Sequence, residues 1–232
     1  MTGWSAEGAA RWIAEAAETG NPLAPLPPEL APRDLREGEE VSAAVVESLG
    51  LAPCGLRLLL TLGGAIAGPM LDGRLLPNGA TVALRALRNP LVTAAVVAIL
   101  SEDLPESGDG PPRLAALHPA LDVSATRFAE APEDAPTLAA DLARLGHVVA
   151  GKRRAPPAGP VRVTLAPKGA RPRGTEADLA PLLIEAARHA RRLGGLPAGT
   201  MLVVAGLTPA VPAAGMLRAS LGALGAVEAA FA

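Results

Sequence analysis

An α+β fold follows from three features of this sequence. Its opening is helical and interrupted by proline, its second half is rich in short apolar runs, and one amphipathic helix is marked at both ends. The 232 residues suffice for one substantial core, or for a core with a small appendage. The composition shift places that division at 1–52, a helical N-terminal segment with a Pro-rich arm, and 53–232, a β-rich core domain.

Residues 5–18 carry Trp12, Ile13 and Ala16 on one helical face, and Gly20 follows as a stop. Asn21-Pro-Leu-Ala-Pro-Leu-Pro-Pro28 is extended, because a residue before proline avoids the helical region. A second helix is predicted over 37–49, stopped by Gly50. The run 56–62 reads as a buried strand. Asn78-Gly79 marks a turn between two short strands, and 92–100 is a β-rich run. Residues 106–112 form a Gly/Pro loop, and 113–117 a helix or turn. A strand over 121–126, a helix over 136–145 and a short strand over 147–150 follow.

Lys152 to Gly159 is a basic loop, read as a solvated edge or an anion site. Residues 161–165 alternate as a strand does. The helix over 179–193 has Asp178 as N-cap, Pro181 in its first turn, Arg188, Arg191 and Arg192 towards its end, and Gly194 beyond. Strands at 201–204, 217–221 and 227–231 complete the chain.

Composition narrows function by exclusion. A net charge of −2 offers no nucleic-acid surface, and 2% aromatic residues with no Tyr offer no stacking platform. The single cysteine, Cys54, rules out an internal disulfide and a cysteine metal cluster; it reads as a small core hydrophobe. Glu7, Arg11, Glu15 and Glu18 are unlike a secretory leader, so cytoplasmic residence is expected. Residues 193–217 are long enough to span a bilayer, but Pro197, Pro209 and Pro212 make them strands and turns, and no membrane association is expected. There is no P-loop, dinucleotide fingerprint or Ser-His-Asp set.

Several segments, in order, resemble the 2-keto-4-pentenoate hydratase family of the fumarylacetoacetate hydrolase superfamily. Thr19-Gly-Asn-Pro-Leu-Ala-Pro-Leu26 resembles its Thr-Gly-x-Pro-Ile-x-Pro-Leu arm, and Gly55-Leu-Arg-Leu-Leu-Leu-Thr61 its Gly-Tyr-Lys-Ile-Gly-Leu-Thr. Pro119-Ala-Leu-Asp-Val-Ser-Ala-Thr-Arg127 is similar to Pro-Ala-Leu-Glu-Ile-x-Asp-Ser-Arg. Ala140-Asp-Leu-Ala-Arg-Leu-Gly-His-Val-Val-Ala-Gly151 is similar to Ala-Asp-Asn-Ala-Ser-x-Gly-x-x-Val-Leu-Gly. The resemblance implies a curved, mixed β-structure after a helical N-terminal segment.

The departures fall at the family's active site. The resemblance aligns Leu91-Val-Thr-Ala-Ala-Val-Val-Ala-Ile-Leu100 with a strand whose Glu-x-Glu pair holds a divalent metal; here Thr93 and Ala95 stand in those places. Residues two apart share a face of a strand, so the family's carboxylates converge on one ion, whereas this chain offers a hydroxyl and a methyl. Asp122 aligns with the third glutamate and Arg57 with the active-site lysine. Arginine stays protonated and cannot act as a base. The loop between Thr61 and Asp72 is shortened, and the family's Thr-Gly-Ser-x-Thr survives only as Val204-Ala-Gly-Leu-Thr208. No cofactor is expected, because Thr93 and Ala95 replace the two glutamates that the resemblance assigns to a Mg²⁺ or Mn²⁺ site.

The resemblance leaves three functions. One is a metal-independent lyase on a small 2-oxo or 2-hydroxy-dienoic acid, with Asp122 and Asp141 moving protons and Arg57, Thr93 and Thr208 binding substrate. The second is a non-catalytic member that binds a ligand or partner protein, and the third is new chemistry in the ancestral pocket. A small anionic 2-oxo acid, a homo-oligomer and a family partner protein are the candidate partners. Beside these stand plainer readings. Asp122 caps a turn, Arg57 pairs with Asp72 or Asp122, and His147 is packed or superficial; His118 and His189 have no identifiable partner.

Overall fold

The computed structural model describes residues 4–170 and 172–232. Helix α1 (Ala6–Thr19) ends at Gly20, whose φ of 73° lets its N–H return to the Ala16 carbonyl. Helix α2 (Leu35–Ser48) starts at Asp34, whose side chain accepts from Glu37 N at 2.9 Å; the Glu37 carboxylate in turn accepts from Arg33 N at 2.8 Å.

The strands β1 (Pro53–Thr61), β2 (Gly64–Leu71), β3 (Leu75–Pro77), β4 (Thr81–Val82), β5 (Leu91–Leu100) and β6 (Leu114–Ser124) follow. Helix α3 (Ala135–Ala140), β7 (Leu145–Ala150), β8 (Val161–Pro167) and β9 (Thr175–Ala177) precede helix α4 (Leu179–Arg192). Strands β10 (Met201–Ala205), β11 (Val211–Pro212), β12 (Gly215–Leu221) and β13 (Ala226–Phe231) close the chain. The α+β expectation holds.

Two mixed sheets carry these strands. The larger runs β2-β1-β10-β5-β6-β7-β3, with β11 also on β5; the smaller runs β4-β13-β12-β8-β9. The larger sheet is buried on both faces, which is why β5 and β10 read as continuous apolar runs. On one face Ala94, Val96, Leu121, Leu202 and Val204 pack with the smaller sheet and α4. On the other, Ala95, Val97, Ala120, Val203 and Ala205 pack with α1, α2 and α3. No helix among the described residues is long and apolar enough to cross a membrane.

Two local expectations need correction. Residues 113–117 are not a helix or turn, because β6 already begins at Leu114. Arg-Leu-Ala-Ala-Leu has good helix formers, but pairing along the whole of β5 overrides that local preference. The helix expected over 136–145 stops at Ala140. Leu142, Ala143 and Arg144 then take φ of 53°, 49° and 59°, a left-handed turn that reverses the chain into β7. Such a conformation costs roughly 1–2 kcal/mol per non-glycine residue, so the surroundings must hold it.

Candidate functional site

Register places the site. Arg57, Val203, Val97 and His118 form one row across β1, β10, β5 and β6. Asp122 lies four residues further along β6. In a flat sheet the two backbones would stand about 14 Å apart across the strands and about 13 Å along them. Their side chains nevertheless touch, so the sheet curls around the face that bears them.

The Arg57 guanidinium donates from Nε to Asp122 Oδ1 at 2.6 Å and from Nη2 to Asp122 Oδ2 at 2.7 Å. Nη2 also donates to Ser124 Oγ at 3.0 Å, and Nη1 to the Ala143 carbonyl at 2.6 Å. Ser124 Oγ donates to Asp122 Oδ2 at 2.9 Å. Arg57 and Asp122 are both 0% exposed. A bidentate pair in which every guanidinium nitrogen also makes a hydrogen bond is the arrangement in which a buried ion pair is tolerated.

Thr93 faces Asp122 directly across β5 and β6, and Ala95 faces Ala120. The Thr93 hydroxyl accepts from Gly206 N at 3.0 Å. Thr208 Oγ1 accepts from Ala94 N at 3.1 Å, so the segment after β10 is stitched to β5 by two side-chain oxygens. Arg57, Thr93, Ala95 and Asp122 thus share one concave face, with Thr208 at its border. Thr93 is the most exposed of the first four, at 7%, so the cluster lies in packed interior.

Asp141 stands in a second network. Its carboxylate accepts from Thr126 Oγ1 at 2.7 Å, Arg127 N at 3.2 Å and Arg127 Nε at 2.5 Å. Arg127 Nη1 donates to the Leu145 carbonyl at 2.8 Å, and Nη2 to the Asp141 carbonyl. These bonds clamp both ends of the left-handed turn that presents the Ala143 carbonyl to Arg57. The two networks are therefore mechanically joined through three residues.

Ser124, Ala143 and Arg127 belong to this arrangement without having been singled out from the sequence. Ser124 had a signal, since it lies two residues after Asp122 and shares its face. Ala143 contributes only a carbonyl, which sequence does not mark.

Burial pushes the Arg144 guanidinium below its ordinary value, Asp141 partly offsets this, and Arg57 and Arg127 add to it. Burial likewise lowers Arg74, with Arg127 reinforcing it. His147 is held below the usual imidazole range by burial and then by Arg74. This end of the sheet is rich in positive charge.

The donor set does not suit a hard divalent cation. Such an ion takes oxygen ligands, preferably carboxylates. Asp122 is already ion-paired, the Thr93 hydroxyl accepts from Gly206, Ala95 has no donor, and the guanidinium repels a cation. Among the described residues no group of three or more His, Cys, Asp or Glu side chains is arranged to hold a metal.

No known family's model matches the chain, and no curated protein matches it. Solved structures do. It is similar to 4-oxalocrotonate decarboxylase from Pseudomonas putida G7, complexed with magnesium and adipate, at a TM-score of 0.82 and 21% identity, over 98% of this chain and 97% of that one. It is similar to 2-hydroxyhepta-2,4-diene-1,7-dioate isomerase from Mycobacterium marinum at a TM-score of 0.56 and 10% identity, over 78% and 76% of the two chains. A third, 5-carboxymethyl-2-hydroxymuconate delta-isomerase from Mycobacterium smegmatis, gives a TM-score of 0.53 at 10% identity, over 78% of each chain. The curled mixed sheet behind an N-terminal helical layer is thus the fold of the fumarylacetoacetate hydrolase superfamily, as the sequence motifs implied.

Proposed function

We propose that this chain is a non-catalytic member of its fold class that works by binding, in the setting of 2-oxo and dienoic acid metabolism. The structural neighbours support the setting, since their names are those of a decarboxylase and isomerases of unsaturated dicarboxylic acids. One observation carries the non-catalytic reading. Arg57 and Asp122, which the resemblance assigns to an active-site lysine and a metal ligand, neutralise each other in the interior. Proton transfer needs a group within reach of substrate, in a protonation state it can change. Asp122 and Asp141 instead spend their oxygens on Arg57, Ser124, Thr126 and Arg127.

The test is turnover. Purified protein is incubated with 2-hydroxypenta-2,4-dienoate, and separately with 4-oxalocrotonate, with and without Mg²⁺. The expected result is consumption no faster than in buffer. Metal-independent turnover abolished by Asp122→Asn or Asp141→Asn would establish the lyase instead.

A further inference from the structure

We propose that a cleft between the C-terminal ends of α1 and α2 and the rim of the larger sheet binds a compact anion carrying two negative charges. This deepens the binding reading above and rests on it for its biological meaning. The cleft is separate from the Arg57–Asp122 pair.

A cavity of about 130 Å³ opens here, and Arg74, Arg85, Arg88 and Arg127 line it together with Asn21 and Thr126. Among the described residues no Asp or Glu lines it. Arg127 is neutralised by Asp141, which accepts its Nε at 2.5 Å. Among the described residues, Arg74, Arg85 and Arg88 have no carboxylate within ion-pair distance. Arg144 and His147 flank the lining residues Leu145 and Gly146 in the chain, and among the described residues Nε of Arg144 and Nδ1 of His147 are buried without a hydrogen-bond partner.

The backbones that carry these cations are fixed before any ligand arrives. The Arg74 carbonyl accepts from Val148 N at 2.8 Å, and its own N–H donates to the Leu71 carbonyl at 3.2 Å. The Arg88 carbonyl accepts from Thr126 N at 3.2 Å, and Arg85 sits in the single helical turn Leu84–Ala86. Like charges gathered without a counter-ion repel one another, and an anion between them removes that cost. Arginine forks meet carboxylate and phosphate oxygens in pairs.

Charge and size define the ligand. Three arginines remain after Arg127 is paired. The ends of α1 and α2, represented by Ala16, Ala17, Gly20, Leu49 and Leu51, contribute roughly half a negative charge each. About two positive charges are left for the ligand to balance. At roughly 10–15 Å³ per water on the same measure, the cavity takes about ten waters, or a ligand with about that many heavy atoms. A four- to six-carbon dicarboxylate and a pyrophosphate group both meet these limits.

The experiment is calorimetric titration of the full chain at low ionic strength, with succinate and with pyrophosphate in separate arms. Proteins compared are the native chain, the Arg85→Ala/Arg88→Ala double variant, and Arg162→Ala as a control at an exposed position of the smaller sheet. Submillimolar binding of at least one probe is expected, and the better probe tells carboxylate from phosphate. The double variant should bind about tenfold more weakly or worse, since it loses charge-assisted bonds, while the control is unchanged. Absence of binding by the native chain, or equal weakening in the control, overturns the site. Turnover with anion binding intact would sink the non-catalytic reading and keep the site; no turnover and no anion binding would do the reverse.

Discussion

Arg57 and Asp122, 65 residues apart in sequence, close a two-point hydrogen-bonded ion pair across the hollow of a sheet in which two other strands separate theirs. Ala95, Ala120 and Ala205 put small side chains into the core on that side of the sheet, and the left-handed turn at Ala143 supplies a further acceptor.

Breaking one half of that pair should cost far more than replacing both. Asp122→Ala leaves a buried guanidinium without its counter-charge and is expected to lower unfolding stability by about 3–5 kcal/mol. Arg57→Met with Asp122→Leu removes both charges and should cost much less. Urea denaturation of the three proteins measures this. Equal losses in the single and double variants would mean that packing, not charge pairing, holds the site.

The packing of α2 on α3 should prove intolerant of a single methyl. A Cβ on Gly38 would lie 2.2 Å from the Pro136 carbonyl oxygen and 3.1 Å from Ala139 Cβ. Gly38→Ala is expected to destabilise the fold by about 1–3 kcal/mol, seen as a lower Tm. Gly159→Ala, with nothing within 4 Å of the added atom, is the neutral comparison.

Stability should fall as the solution is acidified from about pH 7 to about pH 5. Burial, then Arg74, lowers His147; burial, then Arg192, lowers His189, against partial opposition from Glu185 and Glu39. An unfolded histidine titrates near 6.5, so below that pH the unfolded chain takes up protons that the folded chain resists. Unfolding is thereby favoured, and above the unfolded value the effect vanishes. His147→Gln with His189→Gln should flatten the profile over this range in denaturation curves taken at each pH. An unchanged slope would show that other groups govern it.

How much of this was legible in the sequence differs from element to element. Helix α4 was readable because Asp178, Pro181 and the terminal arginines are local signals, and its bounds agree with them to one residue. The strand at Leu114 was not, because residues 113–117 favour helix in isolation and only pairing with β5 makes a strand from Leu114 onward. Pairing of Arg57 with Asp122 was one of two structural options at the sequence level, since charge type suggests a partner but not which one. The arginine cleft left no trace. Arg74, Arg85, Arg88 and Arg127 come from different turns and strand ends, and only the curl of the sheet brings them together.

Cys54 should react slowly with a thiol reagent. Burial raises its thiol above the ordinary value, with Asp72 adding to this, and its Sγ donates to the Met70 carbonyl at 3.4 Å. The thiolate is the reactive form. Modification by a disulfide reagent at pH 8 is expected to be several-fold slower than for the urea-unfolded chain. Equal rates would mean that β1 frays in solution.

Metal titration tests the proposed non-catalytic reading most directly, because on that reading Arg57 occupies the carboxylate that a cation would need. Calorimetry of the native chain with Mg²⁺, and then Mn²⁺, should show no saturable binding in the micromolar range. Asp122 is the one carboxylate of the Thr93, Ala95 and Asp122 set, and Arg57 holds both its oxygens. One-to-one micromolar binding that disappears in Asp122→Asn would contradict the account, since it would require Arg57 to yield its partner to the ion.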